Sequence, residues 1–557
     1  MYTTAPPITV FTAKKIITMN PRQPVAHAVA VRDGRILGVG SVEELALWGE
    51  YRLDQSFANN ILMPGMVEGH CHLKEGAMWQ WVYLGWFDRK DPDGKVWPGI
   101  RSMQAVVNRL LEADTKMRTA GKAATDPLCC WGFDPIYFGG ERMTVEHLSP
   151  VIRPVLITHA NGHLMNVNQT VLTTCGITNA TDVEGVVKFD AEATHAGEPT
   201  GELQEPAAMY LVLRKIEGAN LLSPMTEEGM HNFGRIACAH GVTSATDLVN
   251  ALEEGDIEVL ERSTARDDFP VRIFPAFRAY LGVNGAHNGA KHVVDLKKRS
   301  TEKLGYGLVK MMLDGSIQGF SARMRWPGHF NGAPNGIWVT DPKQYEADFE
   351  TYHKAGLTIH THTNGDQASE VAINAIERIL TRAPRPGHRH TLQHGQMIDA
   401  PLFARMAELG LAVNLFANHL WYWGDQHYEM TMGPDRANRL DACRSAIDAG
   451  VPLGIHSDAP VTPLGPLFTA WCAVNRITPK GRTLGKTQRI SVMEALHAVT
   501  LGPAWTLKMD HLIGSIECGK YADFAVLNDD PLETAPENLK DVSVAGTVLS
   551  GKVFMTS

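Results

Sequence analysis

From Gly241 onward the chain alternates short apolar strands with amphipathic helices, and this rhythm constrains the fold more than any other feature. Strand-like runs occupy residues 242–247, 271–277, 308–313, 357–362, 390–394, 412–416 and 452–457. Helical patterns lie between several of them. Asp341-Pro342 supplies an N-cap and a proline at the first helical position. Tyr345, Phe349 and Tyr352 then follow at i, i+4 and i+7, and Gly356 ends the element. A second helix starts near Asp366 and carries Val371, Ile373, Ile376 and Leu380; a third uses Phe403, Met406 and Leu409 before Gly410. The apolar run Ile61-Leu62-Met63, leading into Pro64-Gly65, adds an eighth strand. Eight strands with helices between them predict a parallel α/β architecture closed as a (β/α)8 barrel. An open doubly wound sheet is the alternative, but no Gly-x-Gly-x-x-Gly follows any strand.

Both ends of the chain read as β structure. Residues 28–32 and 35–39 flank Asp33-Gly34, a two-residue hairpin turn. Near the other end, residues 521–527 form a buried-looking strand, and 542–549 and 552–554 flank a Ser550-Gly551 turn. Each end is too short to bury a core alone. Residues 1–63 and 505–557 are therefore expected to pair into one composite β-sandwich domain beside a barrel of residues 64–504. Within that barrel lies an insertion of about residues 73–240, aromatic at its start (Trp79, Trp81, Tyr83, Trp86, Phe87). It has a helical stretch at 103–111 and a strand at 154–157. So large an excursion is expected to act as a lid or a substrate wall.

The formal net charge of −9, without a long basic run, argues against nucleic acid or an anionic membrane as partner. Eight scattered cysteines with no Cys-x-x-Cys fit a reducing compartment. No basic leader with an apolar core opens the chain, and no run reaches the ~18 apolar residues of a membrane span. A cytoplasmic protein is expected.

Residues that carry chemistry collect at the C-terminal ends of the predicted strands, where barrel enzymes place catalytic groups. His70 and His72 are separated by one residue; on a strand they share a face, whereas on a helix they would diverge by about 200°. Cys71 between them faces the other way and reads as packing. Lys310 lies within a strand, His360 and His362 end the next, His394 the one after, and Asp458 closes the last. Singly, each has a plain structural reading: a satisfied polar group, a snorkelling stem for Lys310, a helix cap for Asp458. Jointly they converge on one barrel mouth, as the ligands of a metal would.

With these residues the sequence resembles the amidohydrolase superfamily, and within it the amidohydrolase family 3 group that includes N-substituted formamide deformylases. The resemblance runs from Pro64-Gly65 and His70-Cys71-His72 through Gly162-His163, Pro199-Thr200-Gly201 and Gly241-Val242-Thr243. It continues in Val309-Lys310 with Asp314-Gly315, His362 to Asp366, Gln393-His394 and Ser457-Asp458-Ala459-Pro460, and ends in Gly519-Lys520-Tyr521-Ala522-Asp523. It implies a distorted (β/α)8 barrel with a β-sandwich from both termini, and one or two divalent metals, usually zinc. By position, His70, His72 and Asp458 would hold the buried metal and His362 and His394 the more exposed one. Lys310 would bridge the two if a CO2-derived carbamate makes it an anionic oxygen ligand; the alternative is an unmodified lysine beside a single metal. Imidazole and carboxylate also suit manganese, iron or cobalt. A homo-oligomer is implied as well. Two departures stand out: Gln393 where relatives commonly carry Glu, and Thr363-Asn364 ahead of Gly365-Asp366.

The expected activity is metal-dependent hydrolysis of a non-peptide C–N bond in a small amide- or formamide-type substrate. Asp458 would act as general base and then acid, and His163 would help polarise the carbonyl oxygen. Substrate contacts are expected from the insertion and from loop 418–425, whose Trp421-Tyr422-Trp423 cannot all face a core. The candidates are Trp79, Arg278, Gln318, His419, Trp421 and Trp423, with His427 beside them. The alternative for the aromatic loop is packing against the insertion or a partner subunit. Two other functions compete: hydrolysis of an ester, lactone or cyclic amide on the same site, and a non-catalytic barrel scaffold. Retention of all four histidines, Lys310 and Asp458 argues against the scaffold.

Overall fold

A computed structural model describes residues 7–217, 225–279 and 285–556. Eight parallel strands form one curled sheet in sequence order. They are β1 (Met66–Glu68), β2 (Val242–Asn250), β3 (Arg272–Arg278), β4 (Leu308–Met312), β5 (Thr358–Thr363), β6 (Thr391–His394), β7 (Ala412–Leu415) and β8 (Leu453–Ile455). Helices separate successive strands from β2 onward, among them Glu254–Ala265, Gly285–Leu296, Pro342–Lys354 and Asp366–Arg382. The register sets Lys310 opposite His360 and His362 opposite Gln393. Side chains and loop backbone join the first and last strands. The Glu68 carboxylate accepts from Ser457 N and Oγ at 3.1 and 2.9 Å, and Asp458 N donates to His70 O at 3.1 Å. The result is an α/β fold of the TIM-barrel type.

Local chemistry accounts for the helices. The Asp341 carboxylate caps Pro342–Lys354 by accepting from Lys343 N and Gln344 N at 2.9 and 3.2 Å. Tyr345, Phe349 and Tyr352 are buried along one stripe, each burial stabilising by about 1.5–3 kcal/mol. In Asp366–Arg382 the buried stripe is instead Ala368, Ala372, Ile373, Ile376 and Ile379, while Val371 and Leu380 stay half-buried. Alanines let this helix lie close to the sheet, a role that a search for large apolar residues overlooks.

The two ends of the chain do share one sheet. Its seven strands run Lys552–Met555, Val544–Leu549, Phe524–Leu527, Tyr51–Pro64, Ile8–Ile17, Val25–Arg32 and Arg35–Gly40. Phe11, Ile16, Phe57, Leu62, Phe524 and Val526 form its core. The central strand, Tyr51–Pro64, extends ten residues upstream of the apolar run seen in the sequence; its first part is mostly exposed and lacks hydrophobic alternation. It passes through Gly65 into β1. A Cβ on Gly65 would lie 2.0 Å from Thr243 Oγ1, so no larger residue fits this crossing. The insertion builds a second sheet of six strands, including Leu128–Phe133, Val155–His159 and Pro199–Gln204, with apolar clusters of its own.

Candidate metal centre

His70 and His72 sit just beyond the end of β1, where the chain bends, pinned by the Asp458 N to His70 O bond and by His72 N donating to Ala459 O at 2.7 Å. Their rings lie 5.6 Å apart and nearly perpendicular, yet both Nε2 atoms reach Asp458 Oδ1, at 3.3 and 3.1 Å. Cys71 turns away and donates its thiol to Thr246 O. Lys310, in the middle of β4, brings Nζ to 3.4 Å from His70 Nε2. From β5 and β6, the His362 and His394 rings meet edge to face at 4.4 Å, and His394 Nδ1 is 3.8 Å from Asp458 Oδ2. All six residues are buried and line one cavity.

The donor set fits a divalent cation. His70, His72 and Asp458 offer ligand atoms all within 4.8 Å of one another, and so do His70, His394 and His456. His72 Nδ1, His394 Nδ1 and both nitrogens of His456 are buried without hydrogen-bond partners, a costly arrangement for a site meant to stay empty. Burial holds His70, His362 and His394 well below the usual imidazole range, so their lone pairs are free to coordinate. Burial also pushes the Lys310 amine down to about 7, against the opposing charge of Asp458.

Three residues at the site adopt left-handed backbone that side chains other than glycine avoid: His394 (φ 67°), Asp458 (φ 52°) and Glu205 (φ 61°). Each is held by a neighbour. Gly395 N donates to Thr363 O at 2.9 Å, Asp458 N to His70 O, and Glu205 N to His163 O at 2.7 Å. Glu205 also pairs through Oε2 with His163 Nδ1 at 2.8 Å, and His163 faces His362 at 5.4 Å across the cavity. Burial works to lower the His163 pKa, but the Glu205 charge and hydrogen bond outweigh it and raise the value overall.

Of the expected substrate contacts, the cavity wall includes none of Trp79, Arg278, Gln318, His419, Trp421 or Trp423 among the described residues. Arg278 stands one layer back, donating to the hydroxyl of Tyr210, which does line the cavity. Gln318 is buried in the turn after β4. Trp79 packs on Tyr83 and Trp131, and Trp421 packs edge-on against Trp471 at 5.3 Å. His419 stacks on His427 with Nδ1 and Nε2 2.9 Å apart. Trp423 Nε1 donates to Asp134 in the insertion, and the Tyr137 hydroxyl donates to Tyr422 O. The aromatic loop is thus packed against the insertion, and Tyr422 and Trp423 border a smaller hollow with Trp86, Phe87 and Arg89.

Sequence reasoning missed His456, Glu205, Lys74 and Asp247, whose Oδ1 is 3.7 Å from His72 Nδ1. His456 had a usable signal: two residues before Asp458 on an extended segment, it shares that residue's face. The others depend on tertiary placement.

A sequence profile of the amidohydrolase family matches residues 58–555. The putative amidohydrolase YtcJ of Bacillus subtilis is 27% identical over 563 aligned residues, covering 97% of each chain. The N-substituted formamide deformylase of Arthrobacter pascens is 30% identical over 199 residues, 36% of each chain. An uncharacterized metal-dependent hydrolase from Pyrococcus horikoshii has the same fold, with a TM-score of 0.68 at 20% identity, covering 95% of this chain and 99% of its own. With the family profile spanning the whole barrel and every candidate ligand, this chain belongs to the amidohydrolase family.

Proposed function

We propose that this hydrolase cleaves a non-peptide C–N bond, of amide or formamide type, at a divalent metal held by His70, His72 and Asp458 with His362, His394 and Lys310. The observation that carries the reading is the convergence of these six side chains on one buried cavity. A divalent ion there, zinc by preference, supplies Lewis acidity and makes water nucleophilic near neutral pH.

The protein's own residues do the rest. Asp458, hydrogen-bonded to His72 Nε2 at 3.1 Å, takes the proton of the attacking water and returns it to the departing nitrogen, which leaves poorly as an anion. His163, whose pKa is raised by its pairing with Glu205, donates from its protonated form to the carbonyl oxygen as negative charge develops there. Met78, Met209, Leu213 and Val461 make much of the wall apolar and limit water around the reacting groups. In a two-metal centre Lys310 carries a carbamate, for which its place beside His70 is suited.

The same reading takes residues 73–240 as lid and substrate wall, and residues 1–63 with 505–557 as a β-sandwich domain beside a barrel of residues 64–504. It also takes the chain as a cytoplasmic homo-oligomer, in keeping with eight free cysteines. No helix among the described residues is long and apolar enough to cross a membrane.

The test is Asp458→Asn, assayed on N-formyl and N-acyl amines with metal content measured in parallel. Turnover is expected to fall by about two orders of magnitude or more with metal still bound. Near wild-type turnover in the metal-loaded variant would refute the proton-transfer role. An ester-only activity profile would refute the C–N assignment.

A further inference from the structure

Among the described residues, the cavity wall carries one lysine besides Lys310. Lys74 follows His72 by two residues, on the turn into the short helix Glu75–Met78, and its side chain shares the cavity wall with the candidate ligands. Among the described residues its ammonium makes no hydrogen bond or ion pair. The acidic groups around it are committed elsewhere. Glu75 pairs with Arg89 Nη2 at 2.6 Å. Asp247 and Asp458, whose charges reach Lys74, are turned toward His72. The two undescribed internal segments, 218–224 and 280–284, contain no Asp or Glu in their sequence.

The base of this side chain is rigid. Lys74 O accepts from Ala77 N and Met78 N, both at 3.0 Å. Two residues on, Gly76 approaches helix Glu227–Ala239 so closely that a Cβ would lie 1.9 Å from Gly229 O. A half-buried ammonium on a fixed turn, facing a cavity and without a direct ion-pair partner among the described residues, is a recognition element for an anion.

The rest of the wall has the opposite character. Pro206, Met209, Tyr210 and Leu213 recur at i, i+3, i+4 and i+7 along helix Glu205–Leu213 and line the cavity together. This face accepts an apolar group.

We propose that Lys74 anchors a carboxylate of the substrate, so that the amide hydrolysed here carries one negative charge on one side and an apolar group on the other. Lys74 and Lys310 are the basic Lys or Arg side chains of the wall, and Lys310 is drawn to His70. One free ammonium balances one carboxylate, whereas a phosphate dianion would leave a charge unmatched. The inference rests on the amide-hydrolase reading above.

The experiment compares N-hexanoylglycine with N-hexanoylmethylamine, which share the acyl amide and differ by the carboxylate. Both kcat/KM and equilibrium binding by calorimetry are measured on metal-loaded full-length wild type, Lys74→Met and Lys74→Arg. Wild type is expected to favour the carboxylate probe by about tenfold or more, with the preference lost in Lys74→Met and largely kept in Lys74→Arg. Equal affinity for the two probes in wild type overturns the proposal. So does a preference that survives Lys74→Met, which would put the carboxylate on the metal or elsewhere. Lysine-dependent selectivity in binding without turnover of either probe would uphold the anchor and overturn the amide reading instead.

Discussion

Asp523 closes the Gly-Lys-x-Ala-Asp stretch at the far end of the chain, and its substitution by alanine should destabilise the whole protein. Its carboxylate holds Arg272 of β3 in two places, Oδ2 accepting from Nε at 2.7 Å and Oδ1 from Nη2 at 3.1 Å. Oδ1 also accepts from Ser550 N at 2.8 Å. Arg272 is fully buried, so Asp523→Ala leaves a guanidinium without its counter-charge inside the protein. Removing one partner of a buried pair costs about 3–5 kcal/mol. The guanidinium keeps Glu302 O and Ser550 Oγ, both at 2.6 Å, and the Tyr521 ring at 3.6 Å, which places the expected loss near the lower end of that range. The double variant Arg272→Met with Asp523→Ala removes both charges and should recover at least half of the loss. Equilibrium urea unfolding followed by tryptophan fluorescence reads all four states of the cycle. A loss below about 1 kcal/mol for Asp523→Ala, or strict additivity in the double variant, would refute the idea that this pair locks the end sheet to the barrel.

Asp134 gives a pH dependence of stability. Burial pushes its carboxyl up to about 7, although Trp423 Nε1 and Ile136 N both donate to it. Between about pH 4 and 7 the unfolded chain ionises this group while the folded chain keeps the proton, so the unfolded state binds fewer protons and stability falls as pH rises. Between pH 5 and 7 its share is on the order of 2–3 kcal/mol, and Asp134→Asn should flatten that slope in thermal melts; an unchanged slope counts against it. Glu205→Gln keeps the size of the His163 partner and removes its charge, so kcat should fall about tenfold or more while KM changes little; a rise in KM alone would make Glu205 a substrate contact instead. Trp421→Ala should cost about 2–4 kcal/mol through lost packing on Trp471 and Phe468, with relative rates across a substrate panel unchanged; altered selectivity would put this ring at the cavity.

The barrel was legible because its strands are short apolar runs and its helices carry capping residues, as Asp341-Pro342 does for Pro342–Lys354. The candidate ligands were legible because barrel chemistry sits at strand ends. Tyr51–Pro64 was hidden because its first part pairs through backbone alone and buries little. Glu205 and Lys74 were hidden because their meaning lies in neighbours far away in sequence: His163 for the one, and for the other the cavity that its side chain helps to line. The aromatic loop shows the limit from the other side. Trp421, Tyr422 and Trp423 suggested a pocket mouth, but a Trp indole or a Tyr ring fills a core as readily as a site, and Asp134 and Tyr137 were the partners that decided it.

Gln393 shows what the two levels yield together. The sequence marks it only as a neutral residue ahead of His394. In the fold its Oε1 accepts from His70 Nδ1 at 2.8 Å and from Asn414 Nδ2 at 3.0 Å, while its Nε2 donates to His360 Nδ1 at 2.7 Å. That pattern assigns the proton of His70 to Nδ1 and leaves the Nε2 lone pair facing Asp458 and Lys310, where a metal ligand must present it. It equally assigns His360 as an acceptor at Nδ1. A glutamate here would have nothing to donate to His360 and would bring a negative charge into a fully buried position. His360 would then have to take the other neutral tautomer, with its proton at Nδ1. The amide is therefore the residue that lets two neighbouring imidazoles stay neutral with opposite tautomers, one oriented by donating a proton and the other by accepting one.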